Sequence, residues 1–147
     1  MKRSSRSFNA QPWQAYTPTF NGSPTTANVA LFWMRLGDTL FIQGSFQVTV
    51  VNASDAAFTI PFGFSVDTTK VAGSRLHTYG KATRLNATSI ADRVVGYNSS
   101  YATSLVISDR GQAGPVLGQV GWDTVVANNE YIILNAWVPI NGWKATR

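Results

Sequence analysis

Period-two alternation of apolar and polar residues runs through most of the chain, and it is plainest over residues 39–50. There Leu40, Ile42, Gly44, Phe46, Val48 and Val50 share one face, while Phe41, Gln43, Ser45, Gln47 and Thr49 share the other. Such a stretch predicts a long strand with one buried side. Residues 29–36 predict a strand just before it. Between the two stand only Gly37 and Asp38, and a two-residue loop with glycine first suits a type II′ hairpin. Further strands are predicted over 16–20, 57–60, 76–84, 89–96, 102–108, 116–122 and 131–138. Pro61, Gly63, Asp67, Gly73, Asn86, Gly111, Gly114-Pro115, Asn128-Asn129 and Pro139 punctuate them. No long stretch carries a capped 3.6-residue period. Many strands joined by short loops predict an all-β domain: an antiparallel two-sheet sandwich, jelly-roll-like, of eight or nine strands.

Composition agrees with that pattern. Thr, Val and Ile together number 36, against one Glu and four Lys. Helices draw their exposed faces from straight-chain charged residues, so this chain is short of what a helical domain needs. The strand over 131–138 departs from simple alternation. Tyr131, Ile133 and Trp137 lie on one side with Asn135, and Ile132, Leu134, Ala136 and Val138 on the other. A strand apolar on both faces is central between layers or covered by another subunit. Phe32, Met34 and Phe41 point the same way. With five Trp, five Tyr and eight Phe in 147 residues, the supply of rings suits an oligomer closed by symmetry.

The net charge of +5 belongs to the ends. Lys2, Arg3 and Arg6 lie in the first six residues, and Lys144 and Arg147 near the last. The seven basic residues between them (Arg35, Lys70, Arg75, Lys81, Arg84, Arg93, Arg110) are matched by seven acidic ones (Asp38, Asp55, Asp67, Asp92, Asp109, Asp123, Glu130). A neutral body with basic ends is a poor match for a nucleic-acid-binding surface. It divides the chain into a basic N-terminal arm, 1–12, and a single domain, 13–147. There is no apolar run long enough for a membrane helix and no apolar stretch behind the basic N-terminus of the kind a secretory signal carries.

Candidate chemistry is sparse. With no cysteine and one histidine, disulfide scaffolds, thiol enzymes, cysteine zinc sites and iron–sulfur centres are excluded. His77 lies in a predicted strand without a second imidazole for a relay, and no nucleophile or nucleotide-binding motif appears. Asp67, Asp92 and Asp109 are each near a turn, where aspartates cap their own loops. The expectation is no catalytic residue, no metal and no cofactor. Two tyrosines around a polar loop, Tyr97 and Tyr101 about Asn98-Ser99-Ser100, are the candidate glycan contact.

Four segments resemble a domain of tailed-bacteriophage virion proteins, often the C-terminal part of tail fibres and other surface proteins. They are Trp13-Gln14-Ala15-Tyr16-Thr17-Pro18-Thr19-Phe20, the run Phe32 to Leu40 continuing through Gly44 and Phe46, Ile60-Pro61-Phe62-Gly63, and Val138-Pro139-Ile140-Asn141-Gly142-Trp143. The resemblance spans about residues 13–143, without a match over about 64–130. It implies a trimeric all-β structural protein at the virion surface. About twelve residues precede the domain, with no shaft and no coiled-coil heptads, so a capsid decoration or cement protein is expected ahead of a receptor- or glycan-binding tip of a fibre or spike. The expected partners are further copies of the chain, the major capsid protein or another virion protein, and a host surface glycan for the fibre alternative; neither nucleic acid nor membrane is expected. Lys2, Arg3 and Arg6 are expected to touch the capsid. Trp13, Tyr16, Phe41, Tyr131, Trp137 and Trp143 are expected at the subunit interface or at the base of the domain, with Trp13 and Trp143 near each other.

Overall fold

Two twelve-residue strands, β2 (Thr25–Leu36) and β3 (Thr39–Val50), form where the alternation is least interrupted. In β3 the predicted inner face is buried at Leu40, Ile42, Phe46 and Val48, whereas Val50 at its end is exposed. The Leu36↔Thr39 pair closes the hairpin, and Gly37 has φ 63°. Asp38 keeps a negative φ, so the turn has its one left-handed residue where a type II′ loop needs glycine. The computed structural model describes residues 11–70, 78–97, 102–109 and 120–144.

The other strands are β1 (Gln14–Tyr16), β4 (Ala57–Thr59), β5 (Thr78–Leu85), β6 (Ile90–Gly96), β7 (Ser104–Asp109) and β8 (Glu130–Pro139). All the pairings are antiparallel, in the order β1-β2-β3-β8-β5-β6-β7-β4. The fold is thus all-β, and the hydrogen bonds draw one curled eight-stranded sheet where the sequence predicts two packed sheets. The physical reason lies in the long strands. β2 is bulged between Ala27 and Ala30, and β3 carries Gly44 opposite Leu31. A bulge and a glycine let a strand bend through a corner without ending, so one strand serves both walls.

The curl brings the two edges together. Phe20, four residues after β1, bridges Phe58 of β4. Thr59 N–H donates to the Thr19 carbonyl at 3.0 Å, and Asn21 N–H to that of Ala57 at 2.8 Å. Inside the curl, Phe20, Phe46 and Trp122 meet with ring centroids 4.7–6.1 Å apart. The Trp122 Nε1–H donates to the Asn21 carbonyl at 2.9 Å, which satisfies the one polar atom of a fully buried indole.

Two expected strands change. The strand over 16–20 is β1 over 14–16 followed by the isolated bridge at Phe20, because Pro18 offers no N–H to a ladder. Of the strand expected over 116–122, residues 116–119 lie outside the described residues. Trp122 opens a one-turn helix, α1 (Trp122–Val125), in which Trp122 and Val125 reach the core from the same side.

Candidate functional site

The outer face of the central strands is the first notable surface. Cross-strand register sets Met34 against Phe41 and Phe41 against Trp137. Phe32, Leu36, Ile133 and Trp137 are 38%, 44%, 45% and 48% exposed. Behind Phe32 and Ile133, a shallow groove of about 540 Å³ runs over Ala30, Ser45, Gln43 and Asn135. Small and uncharged polar residues make its floor, so across β2, β3 and β8 the face is apolar at its ridges and uncharged between them, with exposed Lys81 of β5 opposite Asn135 at its border. Monomeric proteins rarely leave contiguous apolar area of this kind uncovered.

A second cluster of rings sits at one end of the sheet. Trp33 lies edge-on to Phe62 at 5.5 Å and to Phe64 at 6.0 Å, and Phe64 to Trp143 at 5.0 Å. The Arg35 guanidinium stands 4.5 Å above the Trp143 ring and donates from Nε to the Gly37 carbonyl at 2.8 Å. Nearby, Lys70 reaches Asp38 at 2.7 Å and Asp67 at 3.5 Å. The hydrogen-bonded Lys70 ammonium holds the Asp38 carboxyl below its ordinary pKa. The Thr69 hydroxyl and backbone N–H, both bonded to Asp67, do the same there, so that aspartate caps its own turn as its sequence position suggested.

The third feature is a cleft of about 380 Å³ where the seam gapes. One side is Ala15, Tyr16 and Thr17; the other is the 3-10 turn Pro61–Gly63 with Thr59, Ile60 and Thr103. Phe62 is 74% exposed and holds φ 54°, ψ 20°. A left-handed phenylalanine costs about 1–3 kcal/mol and is concentrated at functional positions. The Tyr16 hydroxyl is buried and has no hydrogen-bond partner among the described residues, and burial pushes its phenol pKa up.

The sequence-predicted residues fall out as follows. Phe41 and Trp137 meet on the outer face. Tyr131 is half-buried on that strip, and its hydroxyl accepts from Asn28 Nδ2 at 3.3 Å. Tyr16 lines the seam cleft. Trp143 packs within its own chain at the ring cluster, and Trp13 stands 41% exposed ahead of β1. Tyr97 is 7% exposed in the core, so its ring offers no face to a sugar. Asn98, Tyr101, His77, Lys2, Arg3 and Arg6 lie outside the described residues. Phe62 is the functional candidate that residue-by-residue reading passed over; the Pro-Phe-Gly sequence was its signal, since a ring held between two turn residues is forced outward.

Among the described residues no group of three acidic, histidine or cysteine side chains is placed to hold a metal ion. No helix there is long and apolar enough to cross a membrane. No family model, curated protein or solved structure matches the chain.

Proposed function

We propose that the chain is a structural protein of a bacteriophage virion surface, a decoration or cement subunit of the head that assembles as a homotrimer. The observation that supports this best is the uncharged outer strip of β2, β3 and β8, with Phe32, Ile133 and Trp137 standing out from it. In this reading the strip faces the second and third copies around the trimer axis. The motifs at residues 13–20 and 138–143 supply the virion context. The basic arm, through Lys2, Arg3 and Arg6, meets acidic groups of the major capsid protein. The two walls of the curled sheet stand to each other as the layers of a jelly-roll-like sandwich, a relation that the long bent strands β2 and β3 favour.

Light scattering on the purified chain tests the assembly, with three copies expected and a monomer at micromolar concentration counting against it. Electron microscopy of the intact particle tests the location, with density on the head surface expected. Density at a fibre tip, together with binding on a glycan array, would instead establish the chain as a receptor-binding module.

A further inference from the structure

We infer that Asn141 is a site of spontaneous covalent modification, at which the folded protein converts a side-chain amide to a carboxylate through a cyclic imide. The chain carries two Asn-Gly pairs, Asn21-Gly22 and Asn141-Gly142. Asparagine followed by glycine is the pair most open to this reaction, because glycine has no side chain to shield its backbone nitrogen. Both pairs stand in the middle of a β-turn. The Ser23 N–H donates to the Phe20 carbonyl at 3.1 Å, and the Trp143 N–H to the Ile140 carbonyl at 3.2 Å. Gly22 and Gly142 hold φ 68° and 79°, as the third position of a type II turn requires. Sequence and turn geometry thus treat the two asparagines alike.

Their surroundings differ. The Asn21 Nδ2 donates to the Asp55 carbonyl at 3.2 Å and its N–H to the Ala57 carbonyl at 2.8 Å. Its own carbonyl accepts the Trp122 Nε1–H at 2.9 Å. One residue on, the Gly22 carbonyl accepts Asn52 Nδ2 at 2.8 Å, and a Cβ on Gly22 would stand 2.0 Å from that of Ser54. The bond from Trp122 is the decisive one. Cyclisation needs the peptide between asparagine and glycine to turn, and a fully buried indole holds that peptide by its oxygen. At the other turn Asn141 and Gly142 are both exposed, and a Cβ on Gly142 would meet nothing within 4 Å. The Asn141 N–H donates to the Ser65 carbonyl at 2.9 Å, but that bond belongs to the preceding peptide and leaves the one that must turn in open space.

The chemistry needs only the chain and water. The Gly142 nitrogen attacks Cγ of Asn141. An N–Cγ bond forms as the Cγ–Nδ2 bond breaks, and the proton lost by the backbone nitrogen leaves with Nδ2 as ammonia. Water then opens the imide at either carbonyl, giving aspartate or its β-linked isomer, with no oxidation or reduction. The product lowers the formal net charge of +5 by one. The β-linked form also adds one carbon to the backbone just ahead of Trp143, whose ring packs on Phe64 at 5.0 Å and beneath Arg35 at 4.5 Å. The modification therefore acts on the ring cluster at this end of the sheet. The inference is independent of the proposed virion role.

Incubation of the full chain at neutral and at mildly alkaline pH, followed by digestion and mass spectrometry of both Asn-Gly peptides, tests it. In the folded chain Asn141 is expected to gain one mass unit about tenfold faster than Asn21, whose reaction waits for local opening. The gain is expected to be faster at the alkaline pH, because the attacking nitrogen must lose its proton. In urea the two sites are expected to react at similar rates. Equal rates in the folded chain, or no gain at Asn141, would overturn the proposal. So would a difference that persists in urea, since local sequence rather than the fold would then set it. Asn141→Gln is expected to remove the early acidic species on ion exchange, and persistence of that species would place the modification elsewhere.

Discussion

Glu130 shows how much a single side chain carries in a chain so poor in charge. It is 7% exposed and takes Arg84 at both carboxylate oxygens, at 2.5 and 3.0 Å, with Asn86 Nδ2 and the Ala127 N–H each at 2.8 Å. These bonds, that from Arg84 foremost, lower its pKa to about 2. A carboxylate whose folded pKa is depressed stabilises the fold above its unfolded value, and that stability is lost as pH falls from about 4.5 toward 2. Glu130→Gln is therefore expected to cost on the order of 2 kcal/mol at pH 7 and almost nothing near pH 2. Urea denaturation at the two pH values measures the difference, and parallel losses at both would refute the account. Trp143 makes a second residue-scale case. Its ring packs on Phe64 and beneath Arg35 in the same chain, so Trp143→Ala is expected to lower the unfolding free energy by about 1–2 kcal/mol. Were the ring an intersubunit contact alone, the loss would appear only as weaker assembly.

Among the elements, the long hairpin was the most legible, because its alternation continues for twelve residues and its turn chemistry is specific. β8 was legible too, as a strand apolar on both faces. The structure gives each face a different fate: Ile132, Leu134, Ala136 and Val138 are buried, whereas Ile133 and Trp137 are open. Less legible was the bend. Gly44 reads in sequence as a gap in an apolar face, yet it holds φ 140°, and a Cβ there would stand 1.9 Å from the Ala30 carbonyl oxygen. The glycine permits the close approach of β2 to β3 at the corner. Gly44→Ala is expected to cost ~3 kcal/mol, read from the denaturation midpoint; a change below ~0.5 kcal/mol would show that the corner does not depend on it.

For the molecule as a whole, the outer strip is the surface on which the proposed assembly turns. Trp137 is about half exposed at its centre, so Trp137→Glu is expected to leave the fold intact by circular dichroism while reducing the proposed trimer to a monomer in light scattering. A trimer that tolerates a carboxylate at this position would require the interface to lie elsewhere. Deleting residues 1–10 addresses the other end of the proposal, with fewer subunits per particle expected in place of unchanged occupancy.

The sequence by itself determined the all-β class, the hairpin and the central apolar strand, and it divided a neutral body from basic ends. Those features follow from local periodicity, turn chemistry and composition, each legible within a dozen residues. Only the tertiary structure decided that the strands join as one curled sheet, that Tyr97 is buried, and that Phe62 and Tyr16 face one cleft. Such facts depend on which distant segments meet. Phe20 reaches Phe58 because a bulge and a glycine bend β2 and β3, and burial is a property of the closed curl that no single strand records.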